Sequence, residues 1–255
     1  LNHMLTGTMH KIASDFAHTA WPDIAEAAGR GALAVLAIGA CEQHGAHLPL
    51  TTDTDLALGV SRRIAAALEA VVLPPIAYGD AWNNEAFPGT LSLSPDTLRA
   101  VIIDIGRGVR RNGFAGLVII NGHFGNREPI GLAARTLVAE GLPVVHLDYP
   151  HLEKLAGDIC DSEPAGPGFY HADEVETAMM LALRPDVVDM SRAAPEYPAF
   201  PPTFGIEPLQ LRDFNATGVF GDPRPATAAK GEALIEGIVA ESLRLIGLWQ
   251  ARHAI

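Results

Sequence analysis

The 255-residue chain has only two cysteines, Cys41 and Cys160. Two thiols so far apart do not make a disulfide framework, and a reducing cytoplasm is the expected setting. No apolar run approaches the roughly 20 residues needed to span a bilayer. Nor does a charged segment precede an apolar one near the N-terminus, as a secretion signal would require. Basic residues are outnumbered, with 18 Lys and Arg against 30 Asp and Glu and a formal net charge of -12. That balance disfavours nucleic acid and anionic membrane surfaces, because phosphate binding rests on basic patches. No Gly-x-Gly-x-x-Gly follows a strand pattern, which argues against a dinucleotide module. No internal repeat is present. A small-molecule substrate or a protein partner remains.

Apolar residues make up 48% of the chain and charged residues 19%, the balance of a globular protein able to bury a large core. The expectation is one α/β domain over residues 1–255. Within it, residues 1–8 read as an extraneous or unstructured leader because Leu1-Asn2-His3 stand before Met4. His3 and His10 are accordingly set aside from arguments about a site.

Strand and helix patterns alternate along the chain. Residues 32–38 form a short apolar run with β-branched members and read as a buried strand. Leu56, Val60, Ile64 and Leu68 recur every four residues, marking a helix with one buried stripe. Residues 71–76 read as a strand that Pro74 and Pro75 confine to an edge or end early. A long loop at 78–93 follows. Ser94-Pro95 starts a helix with Leu98, Ile102, Ile105 and Val109 on its apolar face and Gly113 at its end. Residues 114–120 read as a second buried strand, 128–140 as a helix ended by Gly141, 143–147 as a further strand and 175–183 as a helix. Residues 195–225 are rich in proline and glycine and suit a lid or an oligomer contact. Leu234, Ile238, Leu245 and Leu248 mark a closing amphipathic helix. This alternation predicts an α/β fold around a mostly parallel sheet.

The chemistry gathers after the first strand. In Glu42-Gln43-His44-Gly45-Ala46-His47-Leu48-Pro49, Glu42 and His44 are two apart, so on an extended segment they point to the same side. Asp53 returns after a turn. Carboxylate oxygens with imidazole nitrogens suit Zn, Mn, Fe or a similar divalent ion rather than a soft metal. The plainer alternative makes Glu42 and His44 loop residues and Asp53 the cap of the helix beginning at Thr54. His123 follows the strand at 114–120, and in a parallel sheet that places it on the same edge as Glu42 and His44. In the 78–93 loop, Tyr78, Trp82, Asn83 and Asn84 offer aromatic and amide groups able to orient a polar ligand. Cys41 ends a buried strand and reads as a small hydrophobe rather than a nucleophile.

Three segments together resemble the creatininase family of metal-dependent amidohydrolases: Glu42-Gln43-His44-Gly45-x-His47-Leu48-Pro49 with Asp53, Asn121-Gly122-His123-x-Gly125-Asn126, and His171-Ala172-x-Glu174-x-Glu176-Thr177. Phe87-Pro88-Gly89-Thr90 and Gly218-Val219-Phe220-Gly221-Asp222-Pro223 add to the likeness, which covers residues 30–249. The resemblance implies a three-layer αβα sandwich, two divalent ions per chain, Zn or Mn with Fe as a further candidate, and assembly as a homohexamer. It implies that Asp53 bridges the ions, that Glu42 and His123 complete one site, and that His44 belongs to the other. The family's remaining carboxylate falls at Gly125 here, and Glu174 is the expected replacement. The implied reaction is hydrolysis of a carbon–nitrogen amide bond by a metal-bridged hydroxide, with His171 and Glu174 as catalytic groups and His171 carrying a proton to the leaving nitrogen.

Ala46, Phe124, Asp173, Asn83 and Asn84 depart from the family's usual residues. Tyr78, Trp82, Asn84, Phe124 and Asp173 are the expected substrate contacts. A small cyclic amide such as creatinine is the first expectation. A formamide of a pyrimidine nucleotide, a sugar-like ring compound, a modified peptide, or a non-catalytic metal-binding role are the alternatives. Arg127 is the one basic residue beside the site loops, which ranks a phosphate-bearing substrate lower.

Overall fold

The structure is a computed structural model and describes residues 15–255; the leader at 1–8, with His3 and His10, lies outside them. Four strands, β1 (Leu33–Ile38), β2 (Val71–Val72), β3 (Gly116–Asn121) and β4 (Val144–Leu147), form one sheet in the order β2-β1-β3-β4. Every pairing is parallel. β1 and β3 are buried along their whole length, and their side chains alternate between two cores. Val35, Val118 and Ile120 face one side, while Leu36, Ile38, Leu117 and Ile119 face the other. Burial on both faces explains why these strands read as continuous apolar runs.

The first core is closed by α2 (Thr52–Leu68), α5 (Leu152–Ile159), α6 (Glu174–Leu183) and α7 (Ala228–His253), which contribute Leu56, Val60, Ile64, Ala156, Met179, Leu234 and Ile238. The second is closed by α1 (Trp21–Gly29), α3 (Pro95–Arg111) and α4 (Arg127–Ala139), through Ile24, Leu98, Ile102, Ile130 and Leu137. The result is the expected three-layer sandwich. Leu36 and Ile119 have no exposure, and truncating such a side chain to Ala typically costs about 2–5 kcal/mol.

Several boundaries follow the chemistry read from the sequence. Ser94 caps α3 by accepting from the Thr97 amide, with Pro95 at the first helical position. β2 stops after two residues, and beyond the Leu73 amide's bond to the Val35 carbonyl the chain rejoins β1 at an isolated Ile38–Ile76 bridge; Pro74 and Pro75 have no amide hydrogen to continue the ladder. α5 was not expected. α2 begins at Thr52, so Asp53 lies inside its first turn and does not cap a helix at Thr54.

Residues 195–225 are not a loose strap. Phe200, Phe204, Phe214 and Phe220 pack with Phe169 in ring contacts of 4.9–6.2 Å. Glu196 pins the segment by accepting from the Ala216 and Thr217 amides at 2.9 and 2.8 Å. The segment thereby becomes a wall beside the ends of β1 and β3.

Candidate metal centre

Because β1 and β3 run parallel in register up to Ile38 and Asn121, the loops leaving them emerge side by side. The first carries Glu42 and His44, and the second carries His123. The first turn of α2 supplies Asp53 from below, and the start of α6 closes the group. Glu42, His44, Asp53 and Glu174 are at most 1% exposed, and the His123 side chain is 13% exposed.

Asp53 is the centre of the arrangement. Its Oδ1 lies 3.0 Å from His44 Nε2 and its Oδ2 lies 3.2 Å from His123 Nδ1. Glu42 Oε1 is 3.1 Å from the same His123 nitrogen, and Glu176 Oε2 is 3.5 Å from His44 Nε2. Two donor triads result, Glu42-Asp53-His123 and His44-Asp53-Glu176, and they share Asp53 through one oxygen each.

Both imidazoles are held by main-chain carbonyls. His44 Nδ1 faces the Glu42 carbonyl at 3.2 Å, and His123 Nε2 faces the Asp80 carbonyl at 2.8 Å. A carbonyl only accepts, so each ring donates there and turns its other nitrogen toward the carboxylates, the usual outer support of a metal-binding histidine. His44 Nε2 and Asp53 Oδ2, both fully buried, lack a hydrogen-bond partner. Buried polar atoms are rarely left so. Two carboxylate–imidazole triads with orphaned, converging atoms fit a pair of divalent ions of the Zn or Mn class.

The charge balance without ions tells the same story. Burial opposes charging His44, but the Asp53 and Glu176 carboxylates outweigh it and raise this imidazole to about 10. Burial, joined by Asp53 and Asp173, lifts Glu176 to about 8. Burial also opposes ionisation of Asp53, but His44 and His123 pull its carboxyl down. Protons stand in for cations.

The expected ligand Glu174 is elsewhere. Its carboxylate accepts from the amides of Asp161 and Ser162, at 3.0 and 2.7 Å, and from the Lys230 ammonium. Residues 174 and 176 are about 200° apart around a helix, so only one of them can face the site, and it is Glu176. No side chain could serve at Gly125, because a Cβ there would lie 1.9 Å from the Asp80 carbonyl oxygen. That close approach is the one that lets Asp80 hold His123.

His171 is brought to the centre, with its ring 4.4 Å from that of His44 and its Nδ1 3.7 Å from Glu42 Oε1. Burial, and then His44, lower it to about 3. A cavity of about 310 Å³ opens from Glu42, Asp53, His123 and Glu176 and is walled by Phe124, Tyr149, Leu152, Phe169, Met179 and Phe204. Of the expected substrate contacts, Asn84 and Phe124 line it. Tyr78 and Trp82 do not; they are 49% and 41% exposed. Asp173 also lies off this cavity. Its Oδ1 accepts from the Val175 and Glu176 amides, which makes it the cap of α6.

The sequence reading missed Glu176, Gln43, Tyr149 and the phenylalanine wall. Glu176 and Gln43 sat within quoted motifs, but nothing local ranked them above their neighbours. Tyr149 has a backbone φ of 43° and a buried hydroxyl with no partner.

Comparison with known proteins agrees with this geometry. The family model for creatininase, described as creatinine amidohydrolase, matches residues 17–246. The chain is 35% identical over 217 residues to a creatinine amidohydrolase of Pseudomonas putida, covering 79% of this chain and 84% of the other. It is 32% identical over 243 residues to a mycofactocin precursor peptide peptidase of Mycobacterium ulcerans, covering 90% and 86%. A crystal structure of creatinine amidohydrolase superposes with a TM-score of 0.82 at 31% identity, covering 92% of this chain and 97% of that one. Solved creatininases include a Zn-Zn type and a Mn form. With four parallel strands between helical layers and a buried pair of donor triads meeting at Asp53, the chain belongs to the creatininase family of metal-dependent amidohydrolases.

Proposed function

We propose that this chain hydrolyses the carbon–nitrogen bond of a small amide at the Glu42-Asp53-His123 and His44-Asp53-Glu176 triads. The observation that carries this reading is the sharing of Asp53, one carboxylate oxygen to each triad, at the floor of a cavity large enough for a small substrate. Ions held there supply Lewis-acid polarisation of a carbonyl and a water made acidic enough to react at neutral pH. The chain's own groups do the rest. Glu42 and Glu176 would hold the ions on either side of the reacting position, His171 lies beside Glu42 with its Nδ1 3.7 Å from Oε1, and the apolar wall excludes bulk water and strengthens each electrostatic contact.

A cyclic amide such as creatinine fits the cavity by size. An amide bearing an apolar group, including a peptide, is the second reading; the wall of Phe124, Phe169, Phe204 and Met179 favours it, as does the likeness to a peptide peptidase. No Lys or Arg lines the cavity, and Arg127 is engaged with Asp148 at 2.6 Å. A phosphate-bearing substrate is therefore disfavoured. With this reading go a cytoplasmic location and a homohexamer, the latter tested by light scattering on the purified protein.

The deciding experiment is turnover of creatinine, and in parallel of apolar dipeptides, by protein loaded with Zn or Mn to two ions per chain. Hydrolysis of either at ordinary enzyme rates, about 1–1000 per second, supports the proposal and selects the substrate class. Fully loaded protein that hydrolyses no amide in such a panel would refute it.

A further inference from the structure

Gln43, between the two metal-facing residues of its loop, sits in a hydrogen-bond chain whose direction is fixed at both ends. At one end, the Gly45 main-chain amide donates to Gln43 Oε1 at 3.0 Å. A main-chain amide cannot accept. At the other, Asn84 Nδ2 donates to Glu42 Oε2 at 2.8 Å. An ionised carboxylate cannot donate. Asn84 must therefore turn its Oδ1 toward Gln43, and Gln43 must turn its Nε2 toward Asn84, which it meets at 3.0 Å. Reversing either amide sets donor against donor at one end and acceptor against acceptor at the other.

The consequence falls on His171. The second Gln43 Nε2 hydrogen points at His171 Nε2, 2.8 Å away. An amide nitrogen has no lone pair to offer, so His171 Nε2 is the acceptor and carries no proton. The remaining proton of the neutral ring is on Nδ1, the nitrogen that lies 3.7 Å from Glu42 Oε1. Gln43 is itself held by its surroundings, being 5% exposed and also facing the Gly218 carbonyl at 3.3 Å. Gly218 has φ 82°, and a Cβ there would overlap Gln43 Oε1 at 1.7 Å; the glycine is required for the amide to stay where it is.

We infer that Gln43 is a positioning residue that locks the resting His171 as the neutral Nδ1–H tautomer, so that His171 meets the substrate as a hydrogen-bond donor. Two results follow. The third possible donor set, Glu42-His44-His171, is not a metal site, because Nδ1 has no free lone pair. And the fixed Nδ1–H is a donor on the Glu42 side of the ring that can polarise the amide, which rests on the proposed hydrolysis.

The test is 15N–1H correlation spectroscopy of the zinc-loaded protein labelled at histidine, with the His171 signals assigned by their loss in His171→Asn. The expected result is the Nδ1–H pattern at neutral pH in the parent. Gln43→Glu keeps the shape but can only accept from His171, and should move the proton to Nε2. Turnover of the best amide substrate, compared at equal zinc content, should then fall about tenfold or more in kcat, with KM within about threefold. Gln43→Met, which neither donates nor accepts strongly, should let both tautomers appear. An Nε2–H or doubly protonated His171 in the parent, or an unchanged tautomer in Gln43→Glu, would overturn the inference. The spectrum decides this without any substrate, whereas undiminished turnover in His171→Asn would count against His171's place over the amide and leave the lock standing.

Discussion

Exchanging the two glutamates at the start of α6 for glutamine separates a ligand from a strut. Glu174 is 0% exposed and accepts from two main-chain amides and the Lys230 ammonium. In Glu174→Gln an NH2 group replaces one accepting oxygen and opposes at least one of those donors. Breaking a buried ion pair costs about 3–5 kcal/mol. Lys230 keeps Asp161 at 2.7 Å and the Pro225 carbonyl at 2.9 Å, so a loss of about 2–4 kcal/mol is expected. For a chain of this size that lowers Tm by roughly 4–16 °C. The remaining folded protein should still bind two ions. Glu176→Gln should do the reverse. Without ions the Glu176 carboxyl is raised to about 8 by burial and by Asp53, which favours its neutral form, and glutamine imitates that form; the metal-free Tm should therefore fall less than in Glu174→Gln. Its metal content should drop toward one ion per chain. Thermal unfolding of metal-free and loaded protein, with elemental analysis, reads both effects. A Glu174→Gln protein that lost an ion while keeping its metal-free Tm would refute the reasoning.

Loading with zinc at pH 7 should release protons, because His44, near 10, and Glu176, near 8, must both be deprotonated to act as ligands; affinity rises with pH through this range, and a titration enthalpy that is the same in buffers of different ionisation enthalpy would count against it. Asp173 is raised to about 7, chiefly by burial. A raised carboxyl weakens the fold as pH climbs from its unfolded value toward 7, so Asp173→Asn, which still caps α6, should match or exceed the parent's stability at pH 8, while Asp173→Ala should lose about 1 kcal/mol. Tyr149→Phe removes a buried hydroxyl without a partner, and chemical denaturation should find it as stable as the parent or up to about 1–3 kcal/mol more so; a clear loss would mean that the hydroxyl has a partner in solution.

The sandwich was legible because β1 and β3 are covered on both faces and so carry uninterrupted apolar runs, and because Ser94-Pro95, Gly113 and Gly141 mark helix ends by local rules. Glu42, His44, Asp53 and His123 were legible for a topological reason: parallel strands deliver their loops to one edge. Glu174 was misread because what claims it is far away in sequence. Lys230 lies on α7, and no local pattern shows that its ammonium reaches the first turn of α6. Tyr78 and Trp82 were chosen for side-chain type alone, but the short turn at Trp82–Asn84 sends Asn84 inward and Trp82 outward. α5 lacked a clear start signal, since His151 precedes it in a left-handed conformation and offers no side-chain cap.

The main-chain carbonyls that orient His44 and His123 bear on how such a molecule changes over generations. A carbonyl persists whatever residue bears it, so substitution at position 80 leaves the support of His123 in place provided the backbone keeps its course. The part of the wall built by Phe200, Phe204, Phe214 and Phe220 with Phe169 hangs from a different part of the chain from Glu42, His44, Asp53 and His123. Wall and floor can therefore drift separately, and one hydrolytic floor can be refitted with new walls for new amides.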